Sequence, residues 1–593
     1  MRIYADQIGY LPDAEKIAVF AIDPNDGATV QKPCELKLIR AGDGSEVTGV
    51  PVKILPAQPD DTAGETVGQA DFSSLKEPGE YLLRAADGSA SQIFAVRPHV
   101  YRDVKNAMIR ALYFQRCGCE LPEKFAGVYR RPVCHTDDAI LFEDRAIKLQ
   151  VSGGWHDAGD FGRYPSAAAT ALGHLLYAYE LFPDRFTETT GIPETGNGLP
   201  DLLNECLYEL RFLLRMQNGE GGVYHKVTTM RHAEFIMPQD DHGELFVFPV
   251  SSMSTASFAA VMCIASRVYE DLVPEFSREA VHAAAAAGQW LLAHPGNTGF
   301  RNPEGCNTGE YGDKDDTDER LWAFAELLRT DREMRHEGDR SHEAAMPLRE
   351  TRQEKYRRAF ASLWEKKLAA EKEALAAYDG ALASGSPVSS FDPILLDGFG
   401  WEDVTAFAQM SVLTDPDRTV GGEVYSEMRD LLLRKTERML REQERSGFRL
   451  AMLPRDFVWG SNMVVTNRAD LLILAALIDP EQAVVYEAAA LEQLHYLFGR
   501  NASDVSYVTG FGGRAFRRPH NRVTVADGVD DPIPGEVSGG PCFPPRDPMG
   551  QKLVPAGSAP QKCYADHEDS YSLNEITIYW NSSAIFATAY FDR

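Results

Sequence analysis

The pattern of apolar and polar positions changes once along the chain, close to residue 100. Before that point, short apolar runs are separated by turn-forming residues: KIAVFAI at 16–22, CELKLIR at 34–40, GEYLLRAAD at 79–87 and SQIFAVR at 91–97. Runs of this length predict β-strands, and the Asp87-Gly88 pair between the last two predicts a tight turn. Residues 1–97 are therefore predicted to form an all-β, antiparallel sandwich of the immunoglobulin type.

From Tyr101 onward, apolar residues recur at the spacing of an amphipathic helix. The clearest segments are YRDVKNAMIRALYFQRC at 101–117, LPDLLNECLYELRFLLRMQ at 199–217, ASFAAVMCIASRVYEDL at 256–272 and RLWAFAELLRT at 320–330. We expect about twelve such helices, joined by loops that hold most of the Gly, Asp, aromatic and His residues. No short tandem repeat is visible, which favours a closed double ring of helices over an open solenoid. Residues 98–593 are therefore predicted to form an all-α (α/α)6 barrel, which makes the chain multidomain.

The segment from Thr330 to Pro387 is highly charged and rich in Ala. Such a composition predicts a solvated helix pair with a linker. The alternative interpretation is a face that binds a partner.

The charge balance argues against two classes of partner. The chain has 60 Lys and Arg against 88 Asp and Glu, a formal charge of −28, which disfavours binding to nucleic acid or to an anionic membrane. No uninterrupted apolar stretch approaches the roughly 20 residues of a membrane span. With 44% hydrophobic residues the chain can bury a large core. We expect a soluble protein that is a monomer or a simple homo-oligomer.

The N-terminus, MRIYADQIGYLPDAEKIAVF, lacks the basic stub and apolar region of a secretory signal. A cytoplasmic location is expected if the chain is complete, and secretion if a signal has been removed. The nine cysteines are sparse and odd in number, so they do not predict a disulfide framework.

Two regions carry acids that suit catalysis. The loop GGWHDAGDFGRY at 153–164 exposes Asp157 and Asp160 between glycines, and like charges this close raise one pKa. Near the C-terminus, Glu575 begins an apolar, aromatic segment that would raise its pKa, as suits a general acid. The alternatives are a helix cap or cation ligand for the aspartates and a plain helix N-terminal Glu for Glu575. Between these regions, His520 and Arg522 lie on a Gly-rich loop whose donors can hold sugar hydroxyls.

Two groups of residues could bind metals. Cys117, Cys134, His135 and His156 form a Cys2His2 set that fits structural zinc, with ordinary buried Cys and His as the alternative and Cys119 as an alternative thiol. The acidic stretch TGEYGDKDDTDERLWAF at 308–324 offers oxygen ligands suited to calcium, with an acidic helix N-terminus as the alternative.

These regions together resemble glycoside hydrolase family 9, the inverting cellulase family, in the branch with an N-terminal immunoglobulin-like domain. The resemblance extends over nearly the whole chain. It is carried by GGWHDAGD at 153–160, SYVTGFGGRAFRRPHNR at 506–522, the region from Tyr564 through Asp566, Tyr571 and Glu575 to Asn581 and Ser582, QIGYLP at 7–12, GGVYHKVTT at 221–229 and WGSN at 459–462.

The resemblance implies a role for each matching residue. Asp160 would be the general base on the attacking water, Asp157 would help to hold that water, and Glu575 would be the general acid. His520 and Arg522 would bind the sugar beside the scissile bond. The candidate surfaces for stacking on pyranose rings are Trp459, Tyr571 and Trp580. An inverting enzyme of this kind separates acid and base by roughly 6.5 to 9.5 Å, which leaves room for the water.

The resemblance also implies a structural zinc on the Cys2His2 set and a structural calcium on Asp318 and Glu319, with weaker support for Asp315 and Asp403. Neither metal would take part in bond cleavage, and no organic cofactor is expected. The sequence departs from the family pattern at Asn521, where a second His is frequent, and at Cys542, where Asn is common. Both departures are expected to affect sugar preference rather than the reaction.

The expected function is inverting hydrolysis of β-1,4-glucosidic bonds in cellulose-type glucans or cello-oligosaccharides, of the endoglucanase type. The alternative within the family is an exo-acting cellodextrinase, or a β-glucosidase or glucosaminidase. A distant alternative is a carbohydrate-binding protein that has lost its activity.

Overall fold

The structure is a computed structural model that describes residues 1–21, 35–330, 351–384 and 398–593. These residues fall into two compact units. The first combines Met1–Ala111 with Lys435–Arg593, and the second is Leu112–Arg434. The domain boundary predicted at residue 97 stays a prediction.

The N-terminal part of the first unit is a sandwich of two four-stranded sheets. Its strands among the described residues are Ile3–Tyr4 (β1), Gly9–Tyr10 (β2), Ile17–Ala21 (β3), Leu36–Arg40 (β4), Lys53–Asp60 (β5), Glu65–Asp71 (β6), Gly79–Ala85 (β7) and Phe94–Val96 (β8). The sheet orders are β1-β3-β6-β5 and β2-β8-β7-β4. The rings of Tyr10, Phe72 and Phe94 meet in the shared core, with centroids 5.3 Å apart in each pair.

The four strands predicted from the sequence are β3, β4, β7 and β8, although residues 22 and 34 at the ends of two predicted runs lie outside the described residues. The prediction of purely antiparallel pairing is wrong at one place, because β2 pairs with β8 in parallel. Strand β5 escaped prediction because it contains Pro56 and Pro59, which an edge strand tolerates.

The sandwich is joined to the C-terminal part of its own unit by buried polar contacts. Asp6 Oδ2 lies 2.8 Å from His495 Nδ1, and the Gln7 side chain accepts a 2.8 Å hydrogen bond from the backbone N–H of Arg514. Ser446 donates to the buried carboxylate of Asp60 at 2.7 Å. One of these bonds reaches the site region directly, since Arg514 belongs to the Gly-rich loop that leads to His520.

Helices dominate the rest of the described chain. They are Arg102–Phe114 (α1), Glu123–Ala126 (α2), Pro165–Leu181 (α3), Asp201–Arg215 (α4), Ser252–Val268 (α5), Pro274–Ala293 (α6), Thr317–Thr330 (α7), Arg352–Ala383 (α8), Thr405–Thr414 (α9), Gly422–Arg445 (α10), Ser461–Ile478 (α11), Ala483–Leu497 (α12), Arg522–Ala526 (α13), Pro548–Leu553 (α14), Tyr571–Asn574 (α15) and Ile578–Phe591 (α16). Twelve of these sixteen described helices have ten or more residues, in agreement with the number expected from the apolar periodicity.

Helix packing builds the core of each unit. In the second unit, α5 packs on α3, α6 and α7, and α7 also packs on α8 and α9. In the first unit, α11 packs on α12 and α16. Helix α11 is apolar and long enough to cross a membrane by length and composition, but 78% of it is buried inside the protein, as in a core helix.

The described part of the charged segment between Thr330 and Pro387 contains one helix, α8. This helix is not fully solvated as predicted, because its Tyr356, Phe360 and Trp364 side chains are buried. Trp364 Nε1 donates to Glu427 at 2.8 Å. The rest of the segment, 331–350 and 385–397, lies outside the described residues, and a partner-binding face stays a prediction.

A small sheet of the second unit was not predicted because its strands have only two or three residues. They are Ala139–Leu141 (β9), Lys148–Leu149 (β10), Val227–Thr228 (β11) and Phe246–Val247 (β12), in the order β10-β9-β12-β11. Strand β11 also bridges to Arg163, at the end of the aspartate-bearing loop.

Candidate active site

The loop that bears Asp157 and Asp160 lies in the second unit and is held at its start. The backbone N–H of Cys117 donates to Gly154 O, and that of His156 donates to Gln115 O, both at 2.7 Å. The buried carboxylate of Glu209, on α4, accepts from the backbone N–H of Trp155. Gly154 has φ +76°, and a Cβ there would lie 2.5 Å from the Phe212 ring. The turn therefore requires glycine, and it fixes where the two aspartates emerge.

Asp157 is buried and hydrogen-bonded to a tyrosine that is distant in sequence. Its Oδ2 accepts a short hydrogen bond from the Tyr311 hydroxyl, while its buried Oδ1 has no hydrogen-bond partner among the described residues. Burial raises the pKa of Asp157 well above its usual range, and the neighbouring charge of Asp160 raises it further. Asp157 can thus hold a polar group at Oδ1.

Asp160 has a different set of partners. Its Oδ2 accepts from the Tyr164 hydroxyl at 3.3 Å and lies 3.2 Å from His232 Nδ1. The His232 backbone N–H donates to the Asn307 side chain at 3.0 Å, and the imidazole is 34% exposed. A carboxylate between a hydroxyl and an accessible imidazole is placed to accept a proton and to lose it again to solvent.

Sequence reasoning missed Tyr311, His232 and Tyr164. Tyr164 ends the GGWHDAGDFGRY loop, His232 follows GGVYHKVTT by three residues, and Tyr311 precedes the acidic run. Each therefore lies in or beside a region that the sequence had marked. Their contacts with the aspartates join distant parts of the chain, and no spacing rule reveals them.

Glu575 lies in the first unit, between α15 and α16. Its carbonyl oxygen accepts from the Gly539 N–H at 2.8 Å, and its backbone forms a bridge with His520. Helix α16 begins only at Ile578, with Thr577 as its capping residue. The alternative interpretation of Glu575 as a plain helix N-terminal Glu is therefore wrong. The side chain is partly exposed on an anchored, extended backbone.

His520 is fixed beside Glu575 by hydrogen bonds to backbone atoms. Its N–H donates to Asn574 O at 2.8 Å, and its Nδ1 lies 2.6 Å from Glu568 O. The loop before it is held by Asp566, whose carboxylate accepts from the N–H groups of Arg517 and Arg518, both at 2.8 Å. Asp566, which belongs to the family-like region from Tyr564 to Ser582, thus orients the loop that leads to His520. Arg522, the first residue of α13, is largely buried.

The three aromatic residues predicted to stack on sugars fall into two groups. Trp459 is 42% exposed, and its ring lies 5.1 Å from Tyr571, which in turn lies 6.0 Å from His520. Trp580 is only 3% exposed and packs against Gly460 and Gly539. The prediction for Trp580 is corrected: its ring belongs to the core of the unit, and a sugar cannot stack on it.

The two departures from the family pattern have structural roles. Asn521 is buried, caps α13 by accepting from Val523 N, and donates to Glu536 Oε1 at 2.8 Å. Cys542 is buried in a small core with Val554, Cys563 and Leu573. Neither side chain is exposed to a ligand, so the expectation that these changes alter sugar preference has no direct contact to support it.

The Cys2His2 residues come together in the second unit. One ligand atom from each of Cys117, Cys134, His135 and His156 lies within 4.8 Å of the others, and the group does not include Cys119. Neither ring nitrogen of His156 has a hydrogen-bond partner among the described residues. Burial lowers the pKa of His156 to about 4, which keeps the imidazole neutral.

One histidine of this group also contacts a carboxylate outside the group. His135 Nδ1 faces Cys117 Sγ at 3.7 Å, while its Nε2 lies 3.4 Å from Asp241 Oδ2. A carboxylate on the outer nitrogen is the usual support of a metal-binding histidine. The donor set, its closeness and this support fit tetrahedral zinc.

An acidic group in the same unit fits a hard cation. Oxygens of Asp313, Asp318 and Glu319 lie within 4.8 Å of one another, and neither carboxylate oxygen of the fully buried Glu319 has a hydrogen-bond partner among the described residues. Burial, together with the charge of Asp403, raises the pKa of Asp318 to about 7, and burial raises that of Glu319 well above its usual range. Such a group is matched to calcium.

The structure corrects one predicted calcium ligand. The carboxylate of Asp315 accepts from Thr317 N at 3.1 Å and pairs with Lys366 Nζ at 2.9 Å, so it is already engaged outside the group. The group of close carboxylate oxygens contains Asp313 instead. Asp403 lies outside the group of three and accepts from Thr405 N at 3.0 Å, although its charge acts on Asp318.

Comparison with known proteins gives two family matches. Residues 101–588 match glycosyl hydrolase family 9, and residues 1–90 match the cellulase N-terminal ig-like domain. A cellodextrinase of Butyrivibrio fibrisolvens is 35% identical, over 99% of this chain and 98% of that protein. Endoglucanase D of Acetivibrio thermocellus is 31% identical, over 100% of this chain and 83% of that protein.

Solved structures of family 9 enzymes are similar to this chain over nearly its whole length. A mutant thermostable endoglucanase from Alicyclobacillus acidocaldarius has a TM-score of 0.83 at 33% identity, covering 100% of this chain and 99% of its own. A structure of AaCel9A in complex with cellobiose-like isofagomine has the same TM-score and identity, with both chains covered to 100%. A Zn-binding triple mutant of the family 9 endoglucanase J30 has a TM-score of 0.83 at 30% identity, over 98% of this chain and 100% of its own.

These matches confirm the predicted fold class, an immunoglobulin-like β domain followed by an (α/α)6-barrel domain, and they confirm that the chain is a glycoside hydrolase. The chain belongs to glycosyl hydrolase family 9, in the form that carries an N-terminal immunoglobulin-like domain.

Proposed function

We propose that this enzyme hydrolyses β-1,4-glucosidic bonds in cellulose-type glucans and cello-oligosaccharides, with inversion at the anomeric carbon. The observation that carries the proposal is the pair of aspartates on one anchored loop. Asp157 is bonded to Tyr311, whereas Asp160 lies between Tyr164 and His232. The cellulases and the cellodextrinase among the relatives support the substrate class.

Each step of the reaction has a proposed residue. Asp160 takes a proton from the attacking water as its oxygen bonds to the anomeric carbon, and Asp157 Oδ1 holds that water. Glu575 gives its proton to the glycosidic oxygen as the old bond breaks. One water is consumed, and the acid and the base return to their starting forms through solvent.

Sugar binding is assigned to the group around His520. Trp459 and Tyr571 offer ring faces to pyranoses, and His520 and Arg522 supply donors to hydroxyls. The 42% exposure of Trp459 supports this role, because the part of the indole that Tyr571 leaves uncovered is available to a sugar. A sugar bound there would lie beside Glu575.

Two modes of action are possible for this enzyme, and they differ in the length of the preferred substrate. Endoglucanase action is favoured by the relatives of that name, and cellodextrinase action by the 35% identity to a cellodextrinase over almost all of both chains. A product time course on cellopentaose and carboxymethyl cellulose separates them. Rapid loss of viscosity with mixed oligomers identifies an endoglucanase, and one short product with little loss of viscosity identifies a cellodextrinase. No hydrolysis of either substrate would refute the proposed substrate class.

The oligomeric state and the cellular location stay predictions.

We also propose a structural zinc on Cys117, Cys134, His135 and His156. It would tie the segment around Cys117 to the aspartate-bearing loop, without a part in bond cleavage. Replacing Cys134 with Ser is expected to reduce bound zinc from about one per chain to near zero, measured by elemental analysis, and to lower Tm. The control Cys119→Ser should keep its zinc. Loss of zinc from the control but not from Cys134→Ser would contradict the ligand set.

A structural calcium is proposed on Asp313, Asp318 and Glu319. In the calcium-free protein, folding raises the pKa of Asp318 to about 7, so the folded state binds more protons than the unfolded chain between about pH 4 and pH 7. The contribution of Asp318 to the free energy of unfolding therefore falls as the pH rises through that window. Calcium removes the repulsion, and we expect it to raise Tm more at about pH 7.5 than at about pH 5.

A matched pair of variants tests the calcium ligands by thermal denaturation with and without calcium. Glu319→Gln should lose the calcium-dependent rise in Tm, whereas Asp315→Asn should keep it. An unchanged calcium response in Glu319→Gln would contradict the proposed site.

A further inference from the structure

Lys226 is a fully buried lysine that the reaction described above does not use. It directly precedes β11. Its ammonium donates hydrogen bonds to a single loop of the described chain. The acceptors are Asn302 Oδ1 at 2.7 Å, Gly309 O at 2.7 Å, Thr308 Oγ1 at 3.0 Å and Cys306 Sγ at 3.6 Å. All four are neutral groups on the residues from Asn302 to Gly309.

Aromatic rings enclose the same ammonium. It lies 4.6 Å from the ring centroid of Phe248, 5.5 Å from that of Phe300 and 5.8 Å from that of Tyr164. Burying a lysine is costly unless its donors are fully used, and here burial lowers the pKa of Lys226 to about 8. Three oxygens and three ring faces replace the water that the ammonium loses on burial. The oxygens reach the ammonium only while the loop keeps its present path.

The preceding residue holds the end of that loop. His225 Nε2 lies 2.8 Å from Glu310 O, and its ring stacks on Phe300 with centroids 3.8 Å apart. Tyr311, which follows Glu310, has φ +46°, a left-handed backbone conformation that a bulky side chain rarely adopts. Such a conformation persists only where the surroundings impose it. The Tyr311 hydroxyl donates to Asp157.

We propose that Lys226 is a positioning residue that fixes the loop from Phe300 to Tyr311, so that the Tyr311 hydroxyl reaches Asp157. Lys226 touches no reacting atom in this scheme. It acts through Gly309 and Tyr311, and Asp157 is the group whose orientation it secures. The link to catalysis rests on the proposed function, whereas the anchoring of the loop does not.

The loop itself is tested by hydrogen exchange on the full chain. Lys226→Met has a similar length and no charge, and we expect it to lose protection of the amides from Asn302 to Tyr311. The control is Lys148→Met, an exposed lysine on β10 of the same sheet, which should exchange like the unsubstituted protein. Unchanged protection in Lys226→Met would overturn the proposal, even if the enzyme failed to cleave any β-glucan.

Kinetics test the route through Tyr311. We expect Lys226→Met to lower kcat on cellopentaose by about 10- to 100-fold, with a smaller change in KM, because misplaced groups chiefly slow the reacting complex. Tyr311→Phe removes the hydroxyl, so the double variant should be little slower than the slower single variant. Effects that multiply independently would show that Lys226 acts elsewhere. No hydrolysis by the unsubstituted enzyme would refute the proposed function instead.

Discussion

Replacing Glu575 with Gln is expected to reduce kcat on cellopentaose by about 10²- to 10⁴-fold, the usual contribution of a general acid. The amide keeps the size of the side chain, but it cannot give a proton to the departing glycosidic oxygen. Binding of cellotetraose, measured by calorimetry, should be retained, since the donors and ring faces near His520 are unchanged. Turnover close to that of the unsubstituted enzyme would contradict the role of Glu575.

A substrate with a better leaving group makes this test specific. A 2,4-dinitrophenyl glycoside of cellobiose releases an anion that needs no proton, so Glu575→Gln should lose far less activity on it than on cellopentaose. Asp569→Asn is the matched control, because Asp569 is an exposed acid six residues away. It should behave like the unsubstituted enzyme on both substrates.

Replacing Asp160 with Asn is expected to give a loss of about 10²- to 10⁴-fold as well, but on both substrates. The attacking water must lose its proton whichever group departs, and the amide of Asn cannot accept that proton. Initial rates on cellopentaose and on the dinitrophenyl glycoside measure the effect. This pattern separates the base from the acid without any assumption about binding.

The control for Asp160→Asn is Asp138→Asn, which changes an exposed aspartate of the same unit and should leave both rates unaltered. If Asp160→Asn recovered activity on the dinitrophenyl glycoside while Glu575→Gln did not, the two proposed roles would be reversed.

The fold was predictable wherever one periodicity dominated a segment. The twelve long helices and the strands β3, β4, β7 and β8 repeat their apolar residues often enough to be recognised. Strands β1 and β2 have two residues each, too few to show a period. The sequence could not foresee that α8 buries Tyr356 and Trp364, because its charged residues dominate the composition.

The acids of the site were recognisable because glycines and motif residues surround them, but their partners were not. Tyr311 reaches Asp157 across 154 positions of sequence. The error at Trp580 has a related cause. All fourteen residues of α16 are buried, so the helix has no polar face from which to tell a core ring from an exposed one. At Asp315, the competing partner Lys366 lies 51 residues away.

The central claim is inverting hydrolysis of a β-glucosidic bond, and the anomeric form of the first product tests it most directly. Proton NMR of fresh cellopentaose digests, recorded before mutarotation equilibrates the anomers, distinguishes the two outcomes. The proposed roles of Asp160 and Glu575 predict that the new reducing end appears first as the α-anomer. A β-anomer at the earliest times would mean retention, and it would contradict the assignment of Asp160 as a base that activates water.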